Sequence, residues 1–175
     1  MNTTKYHFVA LFVLIVWGTA FVATKILIYH GLTAKDVFFY RFLLAFIFTC
    51  FFGKQDLFAK TVNDEIKLLL MGVAGGSFYF TMANIALEIT HASNVALLSC
   101  IAPIFTVLFS HLFIKSEKLS RYFWQGTILA LTGVIFVVFN GRFILQIRPM
   151  GDILSILAAL SWAFYTILLD RKSVV

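Results

Sequence analysis

Charge is what this sequence has least of. Only 13% of its 175 residues are Asp, Glu, Lys or Arg, and just 8 are acidic, where a soluble domain carries roughly 25% charged residues. Too little polar surface is left to cover a water-soluble globule. Cysteine occurs twice. Cys50 and Cys100 both lie within apolar runs, which excludes a disulfide framework and a Cys-x-x-Cys metal site. Each is read as a free, buried cysteine. The sequence also has no H-E-x-x-H, no G-x-S-x-G, no glycine-rich phosphate loop and no carboxylate pair beside a histidine. Nothing points to an enzyme, and neither a metal nor a cofactor is expected.

What is present is apolar. Hydrophobic residues make up 61% of the chain, in runs approaching the ~20 residues that cross ~30 Å of hydrocarbon. Six spans are expected: Phe8–Tyr29, Val37–Phe52, Leu68–Ile89, Val95–Ile114, Phe123–Phe139 and Ile153–Leu169. Their helical period and length exclude a β-barrel of ~10-residue alternating strands. The first run exceeds the ~7–15 apolar residues of a signal peptide and lacks an A-x-A-like cleavage site, so it reads as an uncleaved helix. The fold class is an all-α polytopic membrane bundle, with the lipid bilayer as its first partner.

The net charge of +6 does not indicate nucleic acid, because the cations sit in short loops between spans. With the N-terminus inside, the cytoplasmic side holds nine: Lys5, Lys54, Lys60, Lys67, Lys115, Lys118, Arg121, Arg171 and Lys172. The outer side holds three: Lys35, Arg142 and Arg148. This positive-inside bias places the N-terminus in the cytoplasm.

Three charges lie within spans. Lys25, Arg41 and Glu88 all fall in the outer part of the membrane; a charge at mid-bilayer costs roughly 2.5–3.5 kcal/mol, and pairing or hydration lowers that. They are expected to form an outer charge cluster, against the simpler reading that Lys25 snorkels and Glu88 is interfacial. In span 3, Thr81, Asn84, Glu88 and His91 share a helical face and read as a cavity wall, with Asn84 alone also explicable as interhelical glue. In span 4, Ser99, Pro103, Thr106 and Ser110 share another. Pro103 deprives the Ser99 carbonyl of its donor, and such interruptions either kink a helix or mark a transporter's substrate site. Small residues at Gly72, Gly76, Gly126, Ala130 and Gly133 suggest close helix packing.

An internal repeat is also visible. Trp17 in LIVWGTAFV and Trp162 in ALSWAFYTI lie 145 residues apart, which makes five spans per unit. An odd number of spans inverts the second copy. The expected organisation is a first repeat over residues 1–140 and the start of a second, one helix long, over 141–175.

The stretches WGTAFVATKI, RFLLA (Arg41–Ala45), ALEITHASNVALL (Ala86–Leu98), APIFTVLFSHLF (Ala102–Phe113) and GDILSILAALSWAFYTIL (Gly151–Leu168) resemble the drug/metabolite transporter superfamily, and its EamA-like exporters in particular. Trp17, Gly18, Lys25, Arg41, Pro103, Glu117, Gly151 and Trp162 match the family pattern. Ser116 departs from its usual Gly-Glu pair, and Glu88 stands where Lys, Arg or a small residue is commoner. The resemblance implies ten helices in two inverted repeats, moving amino acids, metabolites or drugs out across the cytoplasmic (inner) membrane. It also implies alternating access and a coupling ion gradient. The expected substrate-binding set is Trp17, Phe21, Tyr79, Asn84 and Trp162 as cavity lining, Lys25, Arg41 and Glu88 as an outer charge cluster lining a polar vestibule, and Pro103 as hinge. Two rival expectations stand beside this permease. One is a truncated, non-transporting remnant, and the other is a homodimer rebuilding the full helix set. The dimer reading is weakened by the lack of an acidic residue in span 1.

Overall fold

The computed structural model of the protein describes residues 3–52, 59, 61–113, 121–139 and 148–170. The loop residues Lys54, Lys60, Lys115, Glu117, Lys118, Arg142, Arg171 and Lys172 lie outside this set, as do Ile114 and the expected repeat boundary at 140/141. Six helical rods make up the described fold. They are α1 (Thr3–Tyr29), α2 (Ala34–Phe52), α3 (Val62–Ile89), α4 (Ala92–Phe113), α5 (Arg121–Phe139) and α6 (Pro149–Asp170). Of these, α1, α3, α4 and α6 are long and apolar enough to cross a membrane, while α2 and α5 have 19 residues each.

The rods begin before the apolar runs do, because capping residues set the helix ends and hydropathy marks only the part in hydrocarbon. At the α1–α2 corner, Gly31 takes φ 102°. Its N–H bonds to the Ile28 carbonyl at 3.1 Å and that of Leu32 to Leu27 at 3.2 Å, the paired closure that a left-handed glycine permits. Thr33 then starts α2. Its hydroxyl accepts the Asp36 N–H at 3.3 Å while the Asp36 carboxylate accepts the Thr33 N–H at 2.9 Å, a capping box. Thr61 caps the start of α3, its hydroxyl accepting the Asp64 N–H at 3.2 Å.

Two rods are irregular. Between Gly72 and Phe78, α3 winds as a π-helix. α4 breaks into Ala92–Ser99 and Ala102–Phe113, with a turn at Cys100–Ile101. Pro103 sits in the first turn of the second piece, where its missing N–H costs least, and Ser99 loses its donor as the sequence implied.

α6 is the central rod and packs along α3 and α4. Its contact stripe repeats every fourth residue: Gly151, Ser155, Ala159, Ala163 and Ile167 are all buried. Ala83 and Ala86 of α3 supply the facing small residues. Small side chains let backbones approach closely, and that drives association where no hydrophobic force acts between helices. Of the glycine positions expected to do this, Gly76 lies against α2, a Cβ there falling 3.6 Å from the Phe42 ring, while the others meet no neighbour among the described residues. A Cβ on Gly72, Gly126 or Gly133 would meet nothing within 4 Å, whereas one on Gly75 would lie 2.5 Å from the Tyr165 ring. A glycine spacing records which residues are small but not which face meets a neighbour.

Among the described residues, one end of the bundle is filled and the other is not. Beside Ile28 and Ile89, a core of Ala86, Leu87, Val95 and Leu154 closes the space between α1, α3, α4 and α6. Toward Thr3, the apolar side chains of α1 from Tyr6 to Val16 stand exposed.

Candidate functional site

A cavity of about 690 Å³ occupies the middle of the bundle between α1, α3, α4 and α6. Its aromatic wall is a chain of rings: Trp17 lies 5.3 Å from Trp162 at 64°, and Tyr79 lies 4.8 Å from Trp162. Phe21 completes that wall, and Gly18, with no side chain, leaves the floor beside Trp17 open. The opposite wall is the broken α4, presenting Ser99, Cys100, Pro103 and Thr106. The break therefore exposes the edge of a helix to the cavity. The Ser99 and Thr106 hydroxyls donate back to the carbonyls of Val95 and Ala102 at 2.7 and 3.0 Å, leaving oxygen lone pairs for a guest. No Asp, Glu, Lys or Arg is among the described lining residues.

The π turn in α3 helps to place Tyr79, which follows it directly. The Ser161 hydroxyl of α6 donates to the Ala74 carbonyl within that turn at 2.8 Å. A second, smaller void of about 20 Å³ lies behind the aromatic wall, shared by Trp17, Phe21 and Tyr79 and bounded also by Thr24, Arg41 and Asn84. The Arg41 guanidinium donates to Thr24 Oγ1 at 2.7 Å and stacks 5.1 Å above the Phe80 ring.

The structure thus gathers Trp17, Phe21, Tyr79, Pro103 and Trp162 around one cavity, and Arg41 and Asn84 around the void beside it. Lys25 and Glu88 line neither. The Lys25 ammonium donates to the carbonyls of Leu87 and Thr90, the latter at 2.9 Å. Arg148 donates to the neighbouring Ile89 carbonyl at 3.0 Å, so two cations cap the C-terminus of α3, where the helix dipole favours them. Glu88 accepts the N–H of Ala34 at the start of α2. Among the described residues the three intramembrane charges make no ion pair with one another. The expected cluster is a set of helix-end clasps plus a separate arginine.

Sequence reasoning missed Gly18, Cys100 and Thr166 as lining residues. The cysteines are also not buried, as composition had suggested: both are exposed, Cys100 toward the cavity. Pro103 was the available signal for Cys100, since a helix broken there must turn its neighbours outward.

Membrane-length helices packed on small-residue stripes around a central chamber, with the cations turned to helix ends, define a multi-pass integral membrane protein of the transporter class. Comparison with known proteins gives the family. The sequence profile of the EamA-like transporter family matches residues 4–139, and the chain belongs to that family and so to the drug/metabolite transporter superfamily. It is 29% identical over 175 residues to an uncharacterized transporter of Archaeoglobus fulgidus, covering 96% of this chain and 58% of the relative. It is 30% identical over 166 residues to a Salmonella typhimurium protein named "Probable amino-acid metabolite efflux pump", covering 91% and 51%. An uncharacterized inner membrane transporter of Escherichia coli K12, YedA, is 36% identical over 101 residues, covering 57% and 30%. The chain spans about half the length of the curated relatives it matches. No solved structure matches it.

Proposed function

We propose that the protein exports a small metabolite, an amino acid or a compound of similar size, across the cytoplasmic membrane by alternating access around the aromatic cavity. The observation that carries this is the chamber itself. A space of about 690 Å³ falls within the ~300–1,000 Å³ of small-molecule sites. It lies between membrane helices, packed shut at the end bearing Ile89 and unpacked toward Thr3. With the N-terminus in the cytoplasm, as the loop charges indicate, this is the inward-open form. Trp17, Phe21, Tyr79 and Trp162 stack on the substrate in this scheme, Pro103 marks the hinge in α4, and Lys25 and Glu88 hold the outer closure.

Two further observations support the reading. The Trp17–Trp162 contact joins the matching positions of two sequence repeats, as expected for residues beside the twofold axis of an inverted pair. The family match ends at residue 139, beside the proposed repeat boundary. The name of the Salmonella typhimurium relative favours amino acids as the first substrates to try.

The test is export by the full-length protein. Cells producing it are fed dipeptides to raise internal amino acids, and the medium is assayed. Trp17→Ala and Tyr79→Ala, at equal membrane levels, are expected to lower export roughly tenfold each, about the ~1.4 kcal/mol that one aromatic contact supplies. Export unchanged in both variants would show that the cavity is not the path.

A further inference from the structure

Arg41 is the intramembrane cation whose charge the described residues leave unanswered. Lys25 and Arg148 end on the carbonyls of the α3 terminus. Glu88, Asp36 and Asp152 each accept a backbone N–H at a helix start, from Ala34, Thr33 and Arg148 respectively. Among the described residues, no carboxylate lies within ion-pairing distance of Arg41. Its partners are a neutral hydroxyl and a ring face. A positive charge within a membrane span gains from a counter-charge, and none of the described residues brings one to Arg41.

The void beside Arg41 has the chemistry to accept one. Thr24 and Asn84 are each 2% exposed and Tyr79 6%, so these three walls are shielded, while Arg41 itself is half-buried. Because Thr24 Oγ1 accepts from Arg41, its own hydrogen is left to donate onward. Asn84 keeps one amide hydrogen beyond its 3.4 Å contact with the Ala34 carbonyl, and four guanidinium N–H groups remain on Arg41. Donors dominate. The space of about 20 Å³ exceeds the ~10–15 Å³ needed by one water-sized occupant. It admits a single halide ion or one carboxylate oxygen, but not the four oxygens of phosphate or sulfate.

We propose that the Arg41–Thr24–Asn84 void is an anion subsite opening on the transport chamber, taking a monovalent negative charge the size of a halide or a carboxylate oxygen. The partition between the two spaces is made of the Trp17, Phe21 and Tyr79 side chains, which line both, so rotation of those rings joins them. The consequence for substrate rests on the transport reading above: a metabolite bearing a carboxylate places that group at Arg41 and its apolar body among the rings.

The test uses the full-length protein in phosphatidylcholine nanodiscs, with tryptophan fluorescence as readout because Trp17 borders the void. Sodium acetate and sodium chloride are titrated at constant ionic strength against sodium sulfate, whose dianion is too large. A saturable response to acetate, to chloride or to both supports the subsite. Acetate alone marks a substrate carboxylate, and chloride alone marks a free ion. Arg41→Gln is expected to raise the half-saturating concentration by about tenfold or more, as loss of a charge-assisted donor does, with Arg41→Lys between the two. Thr24→Val keeps the charge and is expected to weaken the response several-fold, which serves if Arg41→Gln does not fold. Overturning results are a wild type with no saturable response to either anion, or Arg41→Gln or Thr24→Val titrating like wild type. Export that continues without any anion response sinks the subsite alone. An anion response in a protein that exports nothing keeps the subsite and sinks the transport reading.

Discussion

Lys25 ends its apolar run with an ammonium on two carbonyls, those of Leu87 and Thr90. The sequence shows that a lysine near a helix end needs hydration or a partner, and topology sets its depth. Its actual partners were not legible, because backbone carbonyls carry no letter of their own and Glu88 was the nearest acidic residue in view. Trp17, Phe21, Tyr79 and Trp162 were legible, since aromatic rings amid small residues in mid-span have few purely structural uses. Lys25→Met removes the donor from two carbonyls of nearly fully buried residues. It is expected to destabilise the protein by about 1–3 kcal/mol, the cost of leaving buried polar groups unsatisfied. Thermal unfolding in detergent checks this, and an unchanged midpoint would mean water replaces the ammonium without loss.

Helix irregularities shape the chamber at the next scale. The π turn over Gly72–Phe78 was hidden within a glycine-rich run that looked like a packing motif. What decides it is tertiary: Tyr165 needs the room at Gly75, and Ser161 binds the Ala74 carbonyl. π turns recur at functional sites, and this one immediately precedes Tyr79. Gly75→Ala puts a methyl 2.5 Å from the Tyr165 ring and is expected to cost about 1–3 kcal/mol by overpacking. Pairing it with Tyr165→Ala should recover part of that loss, and a double-mutant cycle measures the coupling. In α4, by contrast, the break was legible from Pro103. Pro103→Ala restores an N–H and lets the helix run through Cys100 and Ile101. Export is expected to fall while membrane level holds; normal export would show that the break is not used in transport.

At the scale of the whole bundle, the described residues fill one end and leave the other open, and the proposed orientation turns the open end to the cytoplasm. Fold class and family were legible because hydropathy and motif order depend on the chain alone. The cavity's extent was not, since it depends on which helix faces meet. An alkaline phosphatase fused at Gly31 should be active outside the cell and one fused at Thr61 inactive; the reverse pattern would invert the bundle. Cys100 gives the most direct reading of the chamber, because it is exposed on the cavity wall. In the full-length protein carrying Cys50→Ser, an impermeant maleimide is applied to inverted and to right-side-out vesicles, with and without the exported metabolite. The expected result is labelling of Cys100 from the cytoplasmic face and slower labelling when the metabolite fills the cavity. Labelling from the outer face alone, or a rate indifferent to a metabolite that is still being exported, would contradict an inward-open substrate chamber at this site.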